Sequence, residues 1–482
     1  MRRSTGSVPR IRRGRVLKKV PEDRISALPD SVLSNILTFL PLEDAVATSS
    51  LSQRWRHAWT SVRNLCFDDG GPMGAAADNP DLVDEFNNFI ESVMAGTDPV
   101  SIHTFSLRSV NAIRRDRFPL WVSQAIMRNV REMEIDIIQY APMQLPGCVY
   151  SSMTLEVLRL HTAFRLADPP DGVCFPQLKI LQIYITHPEN RVTEKLFCSC
   201  PSLTELSLTV LIQPDDPPAN FIIQSTTLNT LTFVVLFASL RGMSYHHRAV
   251  IMAPNLQLIR IVDNMLMEYE VHEMQSIQQA TLDLQHWESD TVDPQRARNL
   301  IEGVATTACL ILSGGVLLVR ILILYQHLII HLQHRALKRA CERQSLSRFD
   351  NLTSLDVEVR RSGWKGLHTI LTATYNLRTC ILTKGDWFDV NDHALGWLET
   401  ENVPHCLSER VTKIKMKAFT DGKDDVRLVE YFLWHSKVLD KFRYHCHGSV
   451  QGARLQTLCR KILNFRIQSP TVNIRVTRET LN

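Results

Sequence analysis

The chain lacks the short motifs that mark common catalytic and metal-binding sites. Its 482 residues contain no phosphate-binding glycine loop, no His-Glu-x-x-His and no Cys-x-x-Cys pair. Cys198-Ser199-Cys200 has a single residue between its thiols, which does not match the spacing of zinc or redox sites. No serine, cysteine or histidine stands in a nucleophile motif. We therefore expect a protein that is not an enzyme and that uses no cofactor and no bound metal.

We also expect no secretory signal, because residues 1–20 have no apolar core. This basic leader contains eight Lys or Arg and no acidic residue. Five of its cations fit either a nuclear import signal or a solvated tail: Arg12, Arg13, Arg15, Lys18 and Lys19. Without a secretory signal, the odd number of cysteines, 11, predicts reduced thiols. The expected location is the nucleus, the cytoplasm or both.

The rest of the chain has no excess of positive charge. The net charge is +4, so residues 21–482 sum to −4 once the eight cations of the leader are set aside. Such a body has no general field that attracts nucleic acid, and we expect no nucleic-acid partner. With 44% hydrophobic and 22% charged residues, the composition is that of a soluble globular protein. Its length leaves room for about three domains.

Residues 24–65 predict three short helices with more apolar surface than they can bury. Pro29 favours an extended start, and apolar residues of helical period follow between Val32 and Leu40. Pro41 ends this helix and begins a second one, and Trp55 and Trp59 lie four residues apart in a third. About 40 residues cannot enclose this much Leu, Ile and Trp, so a partner must cover the remainder.

The motif in this segment, LPDxxLxxILxFLPxxxAxxTSxLSxRWRxxW, closely resembles the F-box of plant F-box proteins. The resemblance assigns residues 21–66 to an F-box. It implies binding to a Skp-type adaptor, and through it to the cullin and RING subunits of an SCF ubiquitin ligase. The contact residues it implies are Leu28, Pro29, Leu33, Ile36, Leu37, Leu40, Pro41, Val46, Leu51, Arg54 and Trp55. The alternative for any single apolar residue of this set is a place in the internal core of the module.

A pattern of apolar-x-x-apolar-x-apolar repeats through the middle of the chain. Its copies start at residues 102, 130, 155, 178, 203, 228, 256, 279, 307, 352, 377 and 411. The usual spacing of about 25 residues is typical of leucine-rich repeats, which contribute one strand each. Segments such as APNLQLIRI and CPSLTELSL resemble the irregular repeats of plant F-box proteins. We assign residues 100–400 to a leucine-rich-repeat domain and residues 67–99 to a linker.

Side chains between the apolar positions of each strand should face outward. We predict that a polar ladder on this face binds a protein substrate. The candidate residues are Arg159, His161, Gln182, Tyr184 and Arg260. The alternative is that these side chains form only the solvated face of a sheet.

One apolar segment does not fit the repeat spacing. The starts at 307 and 352 are 45 residues apart, and residues 316–336 account for the excess. The segment approaches the length of a membrane span, but Arg320 lies in its middle, which costs about 2.5–3.5 kcal/mol on the insertion scale. We therefore expect no membrane span and interpret 316–336 as an inserted helix or a gene-model irregularity. Three spaced histidines, His327, His331 and His334, fit an exposed helix face better than a metal site.

A second resemblance lies near the C-terminus, where residues 403–446 resemble the FBD module of plant F-box proteins. A strand is predicted from Val411, Ile414 and Met416. The buried face of a helix is predicted from Val426, Val429 and Leu433. We assign 401–482 to an FBD module that caps the repeat array.

These observations predict an α/β chain with a short N-terminal three-helix F-box, an irregular leucine-rich-repeat solenoid and a C-terminal FBD module. The expected function is substrate recognition in an SCF-type E3 ubiquitin ligase, where the chain holds a protein substrate near the conjugating enzyme. The alternative is a non-degradative leucine-rich-repeat binding module whose F-box is vestigial.

Overall fold

The computed structural model describes residues 25, 28–70, 80–97, 102–110, 113–138, 141–169, 175–238, 246–263, 267–272, 274–284, 294–313, 348–359, 364–385 and 402–478. The basic leader 1–20 lies outside these ranges, as do the segment 316–336 and its three histidines. The predictions made for them stay predictions.

The N-terminal module consists of short helices around a small core. Helices α1 (Asp30–Leu37) and α2 (Leu42–Ala47) are α-helical. The third predicted helix is a 3₁₀ helix over Trp55–Ser61, and a 3₁₀ turn spans Thr48–Ser50. The fully buried residues of the core are Leu33, Leu37, Ala45, Trp55 and Val62. Pro29 and Pro41 directly precede the two α-helices, where the fixed φ of proline favours a helix start.

Parallel strands form the rest of the molecule. Their bounds are β1 Asn64–Asp68, β2 Thr104–Ser109, β3 Glu132–Ile137, β4 Met143–Gln144, β5 Val157–Arg165, β6 Ile180–Thr186, β7 Glu205–Ile212, β8 Asn220–Gln224, β9 Thr230–Phe237, β10 Arg248–Met252, β11 Leu258–Asp263, β12 Glu268–His272, β13 Gln279–Leu284, β14 Cys309–Ser313, β15 Ser354–Val359, β16 Thr379–Lys384, β17 Lys413–Phe419, β18 Lys441–Cys446 and β19 Asn473–Arg478. One sheet runs in the order β1-β2-β3-β5-β6-β7-β9-β11-β13-β14-β15-β16-β17-β18-β19, with β4 beside β5. Each strand on this path between β1 and β19 therefore pairs with a strand of the preceding repeat and a strand of the following one.

Helices cover one face of this sheet. Their bounds are α3 Pro80–Gly96, α4 Phe118–Met127, α5 Asn190–Cys198, α6 Pro294–Gly303, α7 Trp364–Ala373, α8 His405–Glu409, α9 Lys423–His435 and α10 Gly452–Leu463. Three successive repeats place strands in that layer instead, and these form a second parallel sheet, β12-β10-β8. The helices, the second sheet and the inward side chains of the long sheet share one core. Among the described residues, no helix or strand of this layer lies on the other face of the long sheet, called the open face here.

Along most strands of the long sheet, every second side chain is buried, and the side chains between them lie on the open face. In β3, Met133, Ile135 and Ile137 are buried, while the intervening acidic residues are partly exposed. All twelve strands predicted from the repeat pattern are present among the described residues. Strands β1, β4, β8, β10, β12, β18 and β19 were not predicted. The second-sheet strands are short and replace helices, so the period of about 25 residues does not reveal them.

The prediction of a linker over residues 67–99 is wrong. Strand β1 ends at Asp68 and pairs in parallel with β2, and helix α3 follows within the same stretch. Ile90, Val93 and Met94 of this helix are buried in the large core. The repeat array therefore begins directly after the N-terminal module, and the boundary predicted at residue 66 falls inside β1.

The two strands that flank the segment 316–336 are direct neighbours in the sheet. Cys309 of β14 pairs with Ser354 of β15, and the register continues to Leu312 and Val357. The sheet is thus continuous across a connection that is longer than the usual repeat.

The C-terminal region extends the same sheet. Strands β17, β18 and β19 alternate with α9 and α10, and β16 pairs with β17. Ile414 and Met416 lie in β17 and are buried, as predicted, and Val426, Val429 and Leu433 form the buried side of α9. Residues 402–478 therefore supply the last three strands of the described sheet.

Candidate functional site

The structure divides the predicted adaptor-contact residues into three groups. Leu33 and Leu37 are fully buried and Trp55 is 5% exposed, so all three belong to the internal core of the N-terminal module. This burial fits the alternative, a place in the internal core of the module, and their role as adaptor contacts stays a prediction. The physical reason for the burial is the helical period: Leu33 and Leu37 are four residues apart on the inner side of α1.

Five other predicted residues and two further apolar residues are exposed, and together they are called the apolar docking surface here. Ile36 and Leu40 are 38% and 40% exposed, and Leu51 is 67% exposed. Pro29 and Pro41 are also exposed. The surface includes Val32 and Phe39, which were not among the predicted contacts, and Phe39 is 87% exposed. Phe39 follows the end of α1, so the helical period that selected the other residues does not predict its direction.

Three other predicted contacts have partners within the chain. The Arg54 guanidinium donates from Nη2 to Asp30 Oδ1 at 2.9 Å, which ties the 3₁₀ helix to the start of α1. Leu28 packs on the small core of the N-terminal module. Val46 is half-buried and packs on the core of the repeats. Arg54 thus remains exposed at the edge of the module, while Val46 faces inward.

The predicted substrate residues lie on the open face, but not as one cluster. Arg159 of β5 pairs in register with Gln182 of β6, and Tyr184 is two residues further along β6. Arg260 lies on β11, which is separated from β6 by β7 and β9. Four of the five predicted residues thus lie on the neighbouring strands β5 and β6, and Arg260 lies apart from them.

His161 lies in an irregularity that the sequence did not predict. The register between β5 and β6 shifts after Leu160, so Tyr184 pairs with Ala163 instead of His161. Thr162 lies in this bulge and is buried, and its hydroxyl donates to the Ile137 carbonyl at 2.8 Å and accepts from the Ile137 N–H at 2.6 Å. The exposed His161 ring is 3.7 Å from Glu134 Oε1.

Acidic residues dominate the open face near the N-terminal module, and they are paired. The Arg108 guanidinium lies 3.4 Å from Asp68, 3.6 Å from Glu134 and 3.9 Å from Asp136. Partial burial and the nearby Glu134 carboxylate raise the pKa of the Cys66 thiol, which lies on the same face. Arg108 therefore offsets part of the negative charge of this section, which stays acidic overall.

The last three strands carry the opposite charge. Nine positions of the open face align here in three rows, called the basic grid: Lys413, Lys441 and Asn473; Lys415, Arg443 and Arg475; Lys417, His445 and Thr477. Every one of these residues is exposed or partly exposed. Six of the nine are Lys or Arg and none is acidic. The cations come from segments separated by up to 62 residues, so a scan for clustered charges along the sequence does not find them.

A buried carboxylate fixes the start of α9. Asp425 accepts from Lys384 Nζ at 2.6 and 2.8 Å, and from the N–H and hydroxyl of Thr420 at 2.8 and 2.7 Å. The Tyr444 hydroxyl donates to the Thr420 carbonyl at 2.6 Å, and burial raises the pKa of Tyr444. This network joins β16, β17, β18 and α9. The sequence pattern does not reveal it, because Lys384 and Asp425 lie in different repeats.

No group of described residues has the composition and spacing of a metal site. Among the same residues, no helix is long and apolar enough to cross a membrane. The segment 316–336 lies outside the described residues.

Two family models match the chain. The model of the F-box domain matches residues 25–67, and a model of the leucine-rich repeats of FBD-associated F-box protein At5g56370 matches residues 118–282. The first match covers α1, α2 and the 3₁₀ helix, and the second runs from α4 to β13. The apolar docking surface therefore lies in the first matched region, and the predicted substrate residues lie in the second.

Proteins of Arabidopsis thaliana are similar over most of their length. F-box/LRR-repeat protein At4g14103 is 28% identical over 375 residues, which cover 74% of this chain and 91% of that protein. F-box/LRR-repeat protein At3g59200 is 27% identical and covers 96% of this chain and 90% of its own length. F-box/FBD/LRR-repeat protein At5g22660 is 25% identical, with 96% and 98% covered. The similarity thus extends from the N-terminal module to the last strands.

Proposed function

This chain belongs to the F-box proteins with leucine-rich repeats, and we propose that it is the substrate-recognition subunit of an SCF-type ubiquitin ligase. In this proposal the F-box binds a Skp-type adaptor, which links it to cullin and RING subunits, and the repeat array binds a protein substrate. The observation that carries the proposal is the apolar docking surface. Its most exposed side chains, Phe39 and Leu51, have no cover within the described chain.

Burial of this surface against a partner would stabilise the complex considerably. Full burial of a Phe or Leu side chain is worth about 1.5–3 kcal/mol relative to exposure. Phe39, Leu51, Leu40 and Ile36 come from adjacent elements of one small module. Their burial against an adaptor supplies the apolar centre that stable protein interfaces have.

The F-box and the repeats act as one unit in this proposal. Leu42 of α2 belongs to the same core as the repeats, and the side chain of Trp59 packs on both cores. A bound substrate then keeps a defined position relative to the adaptor. Such positioning raises the effective concentration of a substrate lysine near the conjugating enzyme, and the chain itself makes and breaks no bond.

The repeats form a solenoid in this proposal, and residues 401–482 form an FBD module that caps it. Their side-by-side parallel strands, with connections on the opposite face, support this interpretation. Among the residues of the open face, we propose that Arg159, His161, Gln182 and Tyr184 contact the substrate, with Arg260 at the edge of the contact. Tyr and Arg are the side-chain types enriched at binding hot spots.

Co-purification with a Skp adaptor tests the proposal. The full-length chain and a Phe39→Ser/Leu51→Ser variant are each mixed with a recombinant plant Skp adaptor, and the bound fraction is measured by gel filtration. We expect the variant to lose the complex. A matched control is Met127→Ser/Met153→Ser, because both methionines are exposed apolar residues outside the F-box. Equal binding by all three proteins would contradict the proposal.

The alternative is a non-degradative binding module with a vestigial F-box. It predicts that the chain binds its substrate in cells while Skp and cullin are absent from the complex. Affinity purification of the full-length chain from plant cells, followed by immunoblotting for cullin, distinguishes the two functions. Cullin recovered with the wild type and lost with Phe39→Ser/Leu51→Ser supports the ligase.

A further inference from the structure

Four of the six Lys and Arg residues of the basic grid form no ion pair with another described residue, and the other two each have a partner. Lys417 has Asp356 at 3.7 Å, and Arg443 donates to the carbonyl and side-chain oxygens of Asn473 at 2.9 and 3.1 Å. Within the described ranges, no carboxylate lies within ion-pair distance of Lys413, Lys415, Lys441 or Arg475, although Lys415 attracts the Asp356 carboxylate at longer range. Near the N-terminus, by contrast, Arg108 alone contacts three carboxylates.

The arrangement of cations in the basic grid destabilises the sheet when no ligand is bound. Neighbouring strands are about 4.8 Å apart, and the register places Lys413 opposite Lys441 and Lys415 opposite Arg443. Arg475 follows opposite Arg443 on the next strand. Like charges that face each other directly across strands destabilise a sheet. The open face requires no cation for packing, because the core contacts of these strands are made by the alternate residues, such as Ile414 and Phe442.

We propose that the basic grid binds an acidic segment of a partner polypeptide, in which carboxylates lie over the rows of Lys and Arg. The proposal goes beyond the proposed function, because this binding needs no contribution from the F-box. If the chain is a ligase subunit, the acidic segment belongs to the captured protein or to one that regulates its capture.

The size of the grid favours a short peptide over a nucleic acid. Three alternate residues span about 13 Å along a strand, and three strands span about 10 Å across it. Duplex DNA carries one charge per about 1.7 Å and extends far beyond such a patch. Toward β1, the same face turns acidic at Glu132, Glu134 and Asp136, which repel a long polyanion. None of the nine grid residues is Phe, Tyr or Trp, so the grid has no platform for base stacking.

A direct binding measurement tests the grid. The probe is a fluorescein-labelled ten-residue peptide of alternating Glu and Ser, titrated with the full-length chain and followed by fluorescence anisotropy at low salt. We expect the Lys415→Glu/Arg443→Glu variant to bind at least tenfold more weakly than the wild type. A peptide of alternating Gln and Ser is expected to show no binding to either protein.

A matched control variant is available in the same region. Lys423 and Arg427 are exposed cations of α9, which packs on the opposite face of the sheet. Lys423→Glu/Arg427→Glu changes the net charge by the same amount as the grid variant. We expect this control to bind the acidic peptide within twofold of the wild type. Equal weakening in both variants would show a general charge effect and overturn the proposal.

Three further measurements test whether the grid variant folds, whether the grid prefers nucleic acid, and whether the F-box binds its adaptor independently of the grid. If Lys415→Glu/Arg443→Glu fails to give a cooperative melt, Lys415→Gln/Arg443→Gln replaces it, and its expected loss of peptide binding is at least threefold. A 20-residue oligothymidylate that binds more tightly than the peptide, and loses affinity in the grid variant, would reassign the grid to nucleic acid and overturn the proposal. Binding of the Skp adaptor is expected to be equal in wild type and grid variants, so failure of the F-box assignment is detected independently.

Discussion

The indole ring of Trp59 lies where a side chain on Gly96 would have to be. A Cβ placed on Gly96 would be 2.6 Å from Cη2 of Trp59 and 3.1 Å from its Cζ2, both closer than van der Waals contact allows. Trp59 belongs to the 3₁₀ helix of the F-box, and Gly96 is the last residue of α3 in the first repeat. The missing side chain at residue 96 thus permits the close contact between the F-box and the repeats.

We predict that Gly96→Ala destabilises the full-length chain by about 1–3 kcal/mol, the usual cost of overpacking. Alanine has the higher helix propensity, so a loss of stability reports the contact with Trp59 and not the helix itself. Urea denaturation followed by tryptophan fluorescence measures the change. Gly147→Ala is the control, because no atom other than those of residue 147 and its two chain neighbours lies within 4 Å of the added Cβ. Unchanged stability of Gly96→Ala would contradict a fixed F-box position.

A second prediction separates the core of the F-box from its docking surface. Leu33→Ala removes a fully buried side chain and should cost about 2–5 kcal/mol, so adaptor binding falls together with the melting temperature. Phe39→Ser removes an exposed side chain, and we expect weaker adaptor binding with a change in stability within about 0.5 kcal/mol. Differential scanning fluorimetry and titration with the Skp adaptor on the same samples provide both quantities. If Leu33→Ala binds normally, or if Phe39→Ser melts early, the division is wrong.

The sequence predicted the repeats well because each apolar position of the pattern has a constant structural role. Leu155 and Leu228, which begin two copies, are fully buried just before β5 and β9. The sequence did not predict β8, β10 and β12, because their register is set by one another and not by the repeat period. A short apolar strand and a helix turn of the same length are also hard to separate by periodicity.

Site residues were harder to predict than strands, for a related reason. The helical spacing of apolar residues identified Leu33, Ile36 and Leu37 in α1. This spacing does not reveal which of them face the core and which face a partner. The basic grid depends on the register between β17, β18 and β19, which only the pairing of strands reveals. The ion pair between Lys384 of β16 and Asp425 of α9 likewise depends on how elements that are distant in sequence pack together.

The third prediction concerns the buried carboxylate of Asp425. Asp425→Ala leaves Lys384 without its partner and the Thr420 N–H without an acceptor. Removing one member of a buried ion pair costs about 3–5 kcal/mol. We expect Lys384→Met/Asp425→Leu to recover part of this loss, since it removes both charges. Chemical denaturation of the three proteins checks the order of stability, and a double variant that is less stable than Asp425→Ala would contradict the role of the pair.

A fourth prediction uses the pH dependence of an ion pair near α10. Arg454 Nε donates to Asp421 Oδ2 at 2.8 Å, and this contact lowers the pKa of Asp421 below its ordinary value of 3.8. A lowered folded-state pKa contributes stability that is present above 3.8 and is lost as the pH falls through the folded value. Asp421→Asn should therefore be less stable than the wild type at neutral pH, and the difference should shrink below pH 3.8.

Thermal melts of both proteins at a series of pH values measure that difference. Arg454→Gln is the matched variant, because it removes the same ion pair from the other side and should show the same convergence at low pH. A difference between wild type and Asp421→Asn that persists unchanged at low pH would mean that hydrogen bonding or packing, and not the charge of Asp421, is responsible.

The last prediction concerns deletion of residues 316–336. Strands β14 and β15 on either side already pair in register from Cys309 with Ser354 to Leu312 with Val357. Deletion brings the spacing of the neighbouring repeats close to the usual period of about 25 residues, so the same pairing needs only a shorter connection. Closing a shorter loop also costs less entropy, which favours the folded chain slightly. We expect the shortened protein to keep a single cooperative thermal transition at an equal or higher temperature. Loss of that transition would place the segment in the folding core, and membrane association of the full-length chain that resists carbonate would support a membrane span.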